Sequence, residues 1–353
     1  MNIRVGILTA PHIEHEPAAN GFRLHNVRIG IGFHWDREED QTFEGKLEIT
    51  DNADGTQTAV NVIDIEDYLC SVISSEMNAD SPMELLKAHA VMSRSWAIRA
   101  IAANRTSASR MRQAAWESNG HKGFDVCADD HCQRYEGTRR MNSRAVEAVR
   151  ATQGEVLTYG GEVCDARFHK CCGGRTELFE TCWEDVHVPY LEPVDCPWCG
   201  TKDERVLRNV LNDYDRETKD FHDWEVRYTQ EELSDIVRSK SGTDFGTITD
   251  LRPLHRGASG RIDRLEIAGT KRTETIGKEL KIRRTLSRSC LYSSWFDVER
   301  EGTDFVLRGH GWGHGAGLCQ IGAAVMADKG FNYKEILAFY YKGAEVSRHT
   351  RQG

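Results

Sequence analysis

The chain has 353 residues and a formal net charge of −9, and 39% of its residues are hydrophobic, which is enough for a sizeable core in one large domain or two ordinary ones. The acidic balance argues against sequence-independent binding of nucleic acid and against attraction to an anionic membrane surface, because both depend on basic patches. No apolar run reaches the roughly 18 residues that would predict a membrane span.

Residues 1–60 form a strand-rich N-terminal segment. The first ten residues are strand-like and lack the basic start, long apolar run and cleavage site of a signal peptide. This favours either a protein that stays inside the cell or a trimmed mature form. Further on, the turn signals from Asp51 to Gly55 separate two strand-like runs, 46–50 and 59–65, and so predict a hairpin.

Helical spacing begins near residue 66 and continues to Glu76. One face of this helix carries Leu69, Val72, Ile73 and Glu76. A second helix is predicted from Ser81, because Ser81 is a suitable N-cap, Pro82 suits the first helical position and Glu84 would complete a capping box.

The rest of the chain mixes helices and short strands. A short helix is predicted at 144–150 and strands near 155–159, 163–169, 246–268 and 304–308. Thr229 and Glu232 predict a capping box within the polar region 200–245, and two helices close the chain, the first ending at Gly330 and the second starting after Asn332 with Glu335 in its first turn. Without strict alternation of strands and helices, an α+β fold is favoured: one large domain, 60–345, arranged around a cleft, with 200–245 as a peripheral insertion.

Glu76 is the most informative residue for chemistry. It closes an apolar stripe, so its carboxyl should face the interior or a cleft, where desolvation raises a carboxyl pKa and lets the group donate a proton near neutrality. Arg94, one helix away, could reach the same cleft. The alternative is a carboxylate that marks a helix end and is solvated or paired.

The chain has eleven cysteines, which is many for a cytosolic protein. Four potential metal ligands, two histidines and two cysteines, lie within one stretch of twelve residues. Thiolate and imidazole ligands suit tetrahedral zinc, and a site with four such ligands would be closed and structural. The residues are His121, Cys127, His131 and Cys132. Their spacing is not that of a standard zinc finger, so free or disulfide-bonded cysteines remain the alternative.

A second cysteine cluster follows at 171–199. Its members are Cys171, Cys172, Cys182, Cys196 and Cys199. The pair at 196 and 199 resembles a redox or metal pair, but no βαβ pattern surrounds it. A second zinc site, disulfides and free thiols all stay open.

The run 309–317 alternates glycine with other residues, which permits positive φ and a close approach of the backbone to a ligand. It opens a helix whose N-terminus offers free N–H groups; the alternative is a tight structural turn. His310 and His314 could bind a metal. Tyr340 and Tyr341 could stack on sugar rings or could be core aromatics.

These segments together resemble the stage II sporulation protein D (SpoIID) family, which includes the LytB-type amidase enhancers. The resemblance runs in order from about residue 60 to 343. It is carried by the stretches 72–77 (VISSEM), 84–97 (ELLKAHAVMSRSWA), 168–177 (FHKCCGGRTE), 259–261 (SGR), 309–323 (GHGWGHGAGLCQIGA) and 331–343. Cys319 and Cys171-Cys172 depart from the family pattern, which has a serine and small residues there. We also expect no counterpart of the N-terminal membrane anchor that the sporulation members carry.

The resemblance implies a lytic transglycosylase of the cell envelope that cleaves denuded peptidoglycan glycan strands. Glu76 matches the catalytic glutamate and would act first as acid and then as base, leaving 1,6-anhydro-muramoyl ends; no second carboxylate is evident at a matched position. Arg94 matches an active-site arginine, and the 121–132 block resembles a structural zinc site of some members. Substrate contacts are expected from His169, His310, His314, Gln320, Tyr340 and Tyr341.

Two other functions remain open. A non-catalytic glycan binder would activate an N-acetylmuramoyl-L-alanine amidase, as the enhancer branch of the family implies. A metal hydrolase would use His310 and His314, although no third ligand is evident nearby.

Overall fold

In the computed structural model of the chain, residues 1–33, 36–105, 121, 123–212, 215–218 and 220–349 are described. The strands are β1 (Asn2–Ala10), β2 (His15–Ala18), β3 (Gly21–Ile29), β4 (Arg37–Glu44), β5 (Lys46–Asp51), β6 (Gln57–Asp64), β7 (Val126–Cys127), β8 (Glu155–Tyr159), β9 (Glu162–Val163), β10 (Phe168–His169), β11 (Asp223–Tyr228), β12 (Ile248–Arg256), β13 (Ile262–Gly269), β14 (Thr273–Ile276), β15 (Phe296–Glu301), β16 (Asp304–His310), β17 (Leu318–Cys319) and β18 (Glu345–Arg348). The α-helices are α1 (Ile65–Glu76), α2 (Met83–Arg105), α3 (Ser143–Ala151), α4 (Phe179–Cys182), α5 (Glu204–Val210), α6 (Gln230–Ser241), α7 (Glu279–Thr285), α8 (Gln320–Asp328) and α9 (Tyr333–Tyr340). Short 3-10 turns occur at Pro189–Leu191 and Asp215–Glu217.

The N-terminal region forms two sheets built mainly from antiparallel pairs, one of which continues into the first helix. β5 and β6 pair from Lys46 opposite Val62 to Asp51 opposite Gln57, so the predicted hairpin is confirmed. β6 also pairs with β1, and β1 pairs in parallel with β7, which gives the order β5-β6-β1-β7. The second sheet has the order β2-β3-β4.

α1 follows β6 directly and is buried along nearly its whole length. Its first turn is capped by Asp64, whose side chain accepts the backbone N–H of Glu66, so the predicted helix ending at Glu76 is confirmed. The capping box predicted for α2 is wrong. The Ser81 hydroxyl donates to the carbonyl of Asn209, and the Glu84 carboxylate accepts from the backbone N–H of Tyr333 and from Lys87, because tertiary partners outcompete the local cap.

Two hydrophobic clusters support the fold. The larger contains β1, α1, α2, α3, α8 and α9, and the second is built from residues between Trp224 and Leu307. The second cluster lies under the sheets β11-β16-β15 and β12-β13-β14 and under α6. The capping boxes expected at Thr229 and Asn332 are both confirmed. Residues 213, 214 and 219 of the predicted insertion lie outside the described residues.

A two-residue parallel pair brings the middle of the chain to its C-terminal region. Phe168 of β10 lies opposite Leu318 of β17, and His169 opposite Cys319. This pairing places the 168–177 motif beside the glycine-rich run and the start of α8. The mixture of helices and short strands in several small sheets confirms the α+β class. Among the described residues, no helix has both the length and the hydropathy needed to cross a bilayer.

Candidate functional site

Glu76 is the last residue of α1, and its side chain turns into the protein. The residue is 8% exposed, and its Oε1 accepts the backbone N–H of Arg134 at 2.9 Å. Burial raises the pKa of the Glu76 carboxyl above its ordinary value, and the charge of Arg134 opposes that rise only in part. A carboxyl in this setting holds its proton closer to neutrality than a solvated one and can serve as a general acid.

Charged groups surround Glu76 without forming a side-chain ion pair with it in the described part of the chain. Arg134 donates from Nη2 to Asp130 at 2.8 Å, and Lys170 donates to the buried Asp215 at 2.6 Å. Arg134 and Lys170 both act to lower the pKa of Glu76, whereas Asp130 acts to raise it. A carboxylate formed here after proton donation would therefore be stabilised by two nearby cations. Asp130 is a second carboxylate near Glu76 that sequence reasoning missed, and it is held by Arg134.

Arg94 does not contact Glu76 in the structure, which corrects the expectation that it reaches the same cleft. Its Nε and Nη2 donate to the two carboxylate oxygens of Glu66 at 2.9 and 2.7 Å. Nη1 donates to the carbonyl of Glu155 at 2.9 Å, and weaker contacts reach the carbonyls of Ala90 and Val149. The guanidinium therefore links α1, α2 and the α3–β8 connection, and the Arg94 side chain is 1% exposed.

Gln320 and His89 form a buried polar pair between α8 and α2. Gln320 Nε2 lies 2.9 Å from His89 Nε2, and His89 Nδ1 lies 3.1 Å from the hydroxyl of Ser93. Burial, reinforced by the charge of Lys170, lowers the pKa of His89 to about 3, so the ring is neutral. With the amide of Gln320 donating to Nε2, the proton of His89 is assigned to Nδ1. Gln320 is 1% exposed, so the structure makes it a positioning residue and not the direct glycan contact that was expected.

His169 presents a buried nitrogen without a hydrogen-bond partner among the described residues. Its Nδ1 lies 3.1 Å from the carbonyl of Ala316, which must accept from it, while Nε2 is buried and unpaired. Burial and the charge of Arg261 lower the pKa of His169 to about 3, so Nε2 carries a lone pair. Buried acceptors in native proteins normally have a partner, and a bound hydroxyl or water would supply one. The ring of His314 lies 5.6 Å away, centroid to centroid.

The glycine-rich run wraps around the guanidinium of Arg261. Gly315 has φ of +87°, and a Cβ there would lie 2.5 Å from Arg261 Cζ. Arg261 is fully buried and donates to the carbonyls of Cys172 and Gly313. The glycines are therefore required by close packing within the protein, which favours the structural alternative for much of this run. Sequence reasoning noted the Ser259-Gly260-Arg261 element but not its contact with the glycines.

His310 and His314 do not converge on one site. His310 Nδ1 pairs with Asp223 at 2.7 Å, and its side chain is 43% exposed. His314 accepts the backbone N–H of Ala316 and packs against Trp183. Neither histidine belongs to a group of three or more potential metal ligands within the described residues, so nothing there supports the metal-hydrolase interpretation.

Tyr340 and Tyr341 are core residues, which corrects the expectation that they stack on sugar rings. They are 1% and 0% exposed. The hydroxyl of Tyr340 lies 3.3 Å from Cys196 Sγ, and that of Tyr341 donates to the carbonyl of Arg167 at 2.7 Å. A ring must present a free face to bind a sugar, and these two are enclosed.

The predicted metal ligands His121, Cys127, His131 and Cys132 do come together. Their donor atoms all lie within 4.8 Å of one another, with His121 Nε2 3.1 Å and His131 Nδ1 3.5 Å from Cys132 Sγ. A tetrahedral zinc ion with ordinary bond lengths sets nitrogen–sulfur separations of about 3.6 Å, so the donor set fits that ion. Neither cysteine is in a disulfide, and a hydrogen bond from Cys132 lowers the pKa of Cys127 to about 4.

This group is connected to Glu76 through a short segment of chain. β7 ends at Cys127, and the loop 128–134 then carries Asp130 and the backbone N–H of Arg134 that binds Glu76. A metal at the group would fix Cys127, His131 and Cys132, which lie on either side of Asp130 and just before Arg134.

The chain matches known sequences along most of its length. Residues 53–159 match the family model described as "Stage II sporulation protein", and residues 177–317 match a domain of unknown function. A stage II sporulation protein D of Bacillus amyloliquefaciens is 29% identical over 82% of this chain and 76% of its own length. An uncharacterized protein of Brachyspira hyodysenteriae is 32% identical over 84% of this chain and 70% of its own. An amidase enhancer of Bacillus subtilis is 24% identical over 80% of this chain but 40% of its own length.

Proposed function

The chain belongs to the stage II sporulation protein D family, and on that basis we propose that it cleaves peptidoglycan glycan strands as a lytic transglycosylase in the cell envelope. The observation that carries the proposal is the buried Glu76, whose burial raises the pKa of a carboxyl that matches the catalytic glutamate of the family. The sporulation and amidase-enhancer names of its relatives support a role at the cell wall.

In the proposed reaction one carboxyl serves both proton transfers. Glu76 gives its proton to the glycosidic oxygen, the bond from that oxygen to the anomeric carbon breaks, and the muramoyl O6 forms a new bond to the same carbon. The Glu76 carboxylate then takes the O6 proton, so the residue is returned to its starting state and no water is consumed. Arg134 and Lys170 would stabilise the Glu76 carboxylate that forms after proton donation. Because burial outweighs their effect on the pKa of Glu76, the carboxyl would keep its proton until then.

The hydrolytic alternative needs a second carboxylate to activate water or to attack the sugar. Asp130 is the nearby candidate, because its charge acts on Glu76. It is already bound by both Nε and Nη2 of Arg134, at 3.1 and 2.8 Å. With Oδ1 engaged by both guanidinium nitrogens, Asp130 is held in place by Arg134, which favours the route that needs no water.

The other site residues act in this proposal by positioning the elements around Glu76. His169 is enclosed much as Gln320 is, so we propose it as a positioning residue, through the hydrogen bond from its Nδ1 to the carbonyl of Ala316 in the glycine-rich run. His89 and Gln320 position the junction of α2 and α8, and Arg94 positions α1 through Glu66. A zinc ion at the 121–132 group would hold the loop that carries Arg134; it would take no part in bond cleavage.

Digestion of denuded glycan with a Glu76→Gln variant tests the assignment of the acid. The amide keeps the size of the side chain but removes the transferable proton, so we expect a loss of about 10²-fold or more in the release of anhydro-muramoyl products, measured by mass spectrometry. Glu279→Gln is the matched control, since Glu279 is a buried glutamate paired with Arg283 in the second hydrophobic cluster region. Retention of full activity by the folded Glu76→Gln protein would reject the role.

A second function is favoured by the match to the amidase enhancer, which spans 80% of this chain. In that case the protein would bind glycan and stimulate an N-acetylmuramoyl-L-alanine amidase without cutting the strand. Incubation with denuded glycan alone, and with intact peptidoglycan plus a purified amidase, separates the two. Faster stem-peptide release without any anhydro product would support the enhancer.

A further inference from the structure

Four buried cysteines converge at the junction of three separate chain segments. Their sulfur atoms all lie within 4.8 Å of one another, and each residue is at most 2% exposed. The members are Cys172, Cys196, Cys199 and Cys319. From this geometry we propose that they form a tetrathiolate site for one tetrahedral Zn²⁺ ion, separate from the 121–132 group.

The sulfur separations suit a single ion. Four thiolates about 2.3 Å from a tetrahedral zinc are about 3.8 Å apart, and the Sγ atoms of Cys172 and Cys199 lie 3.3 Å apart. A polynuclear iron–sulfur cluster would place several iron and sulfide atoms between the cysteines and hold them further apart. Cys196 and Cys199 are separated by two residues, the spacing of a metal-binding knuckle.

Hydrogen-bond donors already point at these sulfurs. Cys319 caps α8, and its Sγ accepts the backbone N–H of Gly322 at 3.4 Å and that of Cys172 at 3.3 Å. The Tyr340 hydroxyl lies 3.3 Å from Cys196 Sγ. Such outer contacts orient metal ligands and stabilise thiolates, and a helix N-terminus adds to that stabilisation. They also give the buried Tyr340 a role that a sugar contact does not.

Gly322 keeps the space beside the sulfurs open. A Cβ at this position would lie 2.6 Å from Cys196 Sγ and 2.3 Å from the Tyr340 hydroxyl. A glycine inside a helix costs stability relative to alanine, so the packing around the thiols explains its presence. The neighbouring Cys171 and the more distant Cys182 do not belong to the group.

An ion at this site would join the two motifs that pair through β10 and β17. Cys172 follows His169 and Lys170 by only a few residues, and Cys319 immediately precedes Gln320. The site would thereby hold the β10–β17 pair in register and keep Lys170 near Glu76. The metal would be structural, since four protein ligands leave no open position.

Metal analysis of the purified full-length protein, prepared with reductant and without chelator, tests the site directly. With both groups filled we expect about two equivalents of zinc, matching the two groups of ligands. Cys319→Ser and Cys196→Ser should each lower the content by about one equivalent, and Cys132→Ser should remove the other. Cys164→Ala is the matched control, because Cys164 is a buried free thiol outside both groups, and it should retain both.

A spectroscopic measurement covers the case in which a cysteine variant fails to fold. In the Cys132→Ser protein, zinc-edge X-ray absorption should report four sulfur ligands and no imidazole around the remaining ion. A disulfide between Cys172 and Cys199 found by non-reducing mass spectrometry of the native protein would overturn the proposal. So would a bound metal content that Cys319→Ser and Cys196→Ser leave unchanged, or iron in place of zinc. None of these outcomes depends on glycan cleavage, so the proposed function stands or falls separately.

Discussion

Replacing Arg94 should destabilise the protein strongly, because Arg94 belongs to a buried ion pair. In the Arg94→Ala variant the Glu66 carboxylate, 7% exposed, loses both guanidinium hydrogen bonds; among the described residues it keeps only the backbone N–H of Gly154 at 3.3 Å. The carbonyl of Glu155 also loses its donor. Removing one partner of a buried pair typically costs about 3–5 kcal/mol of the free energy of unfolding, and we expect a loss in that range from urea denaturation.

The same helix offers a matched surface control. Asp67, next to Glu66, pairs with Arg150 at 2.8 Å, with side chains 41% and 50% exposed. An exposed pair is worth about 0–1 kcal/mol, so Arg150→Ala should have little effect. An Arg94→Met, Glu66→Leu double variant should recover much of the stability, because it leaves no buried charge unpaired. Equal losses from Arg94→Ala and Arg150→Ala would refute the assignment. So would an Arg94→Ala protein that keeps wild-type stability and loses only activity.

Four further predictions concern the pH response of Glu76, the pH response of His89, the 121–132 metal group and the glycine run. The raised pKa of Glu76 means that activity should fall as pH rises through that pKa. The stability of the folded state also falls as pH rises from the pKa of the unfolded carboxyl to that of the folded one, and Glu76→Gln should abolish this loss in pH-dependent unfolding. Burial lowers the pKa of His89 to about 3, so the folded state favours the neutral ring. The resulting contribution to the free energy of unfolding is complete above about pH 6.5 and declines as pH falls toward 3. His89→Gln should flatten that decline. In the Cys319→Ser variant, which lacks the second proposed site, removal of metal from the 121–132 group by a chelator should lower the thermal midpoint reversibly on zinc addition; an unchanged midpoint would argue against a bound ion. Gly317→Ala should destabilise by more than about 1 kcal/mol, since φ is +73° and a Cβ would lie 2.0 Å from the carbonyl of Arg167, whereas Gly302→Ala, also at positive φ but in open space, should cost less.

Local patterns predicted local structure well. The stripe from Leu69 to Glu76 correctly located the end of α1 and the inward direction of Glu76, because helical spacing determines which residues share a face. The capping boxes at Thr229 and Asn332 formed because their side chains found no stronger partner. At Ser81 the same pattern failed, since the hydroxyl is used by a carbonyl 128 residues away.

The sequence patterns did not predict contacts between segments that are distant along the chain. The partner of Glu76, Arg134, lies 58 residues further along the chain, and no periodicity encodes that pairing. The second cysteine cluster was predicted from proximity in sequence. In the structure Cys319 of the glycine-rich run belongs to that cluster, and Cys171 and Cys182 do not. Aromatic residues at a C-terminal helix end suggested a sugar platform at Tyr340, but a core position has the same sequence signature.

The chemistry of cleavage is tested most directly by digesting denuded glycan in ¹⁸O-labelled water and measuring the masses of the new chain ends by mass spectrometry. If one glutamate passes a proton from the leaving oxygen to the attacking O6, the products are lighter than hydrolysis products by one water and carry no label. Reducing ends that contain the heavy isotope would instead mean that water attacks the sugar, and the account of a single carboxyl acting alone would be wrong.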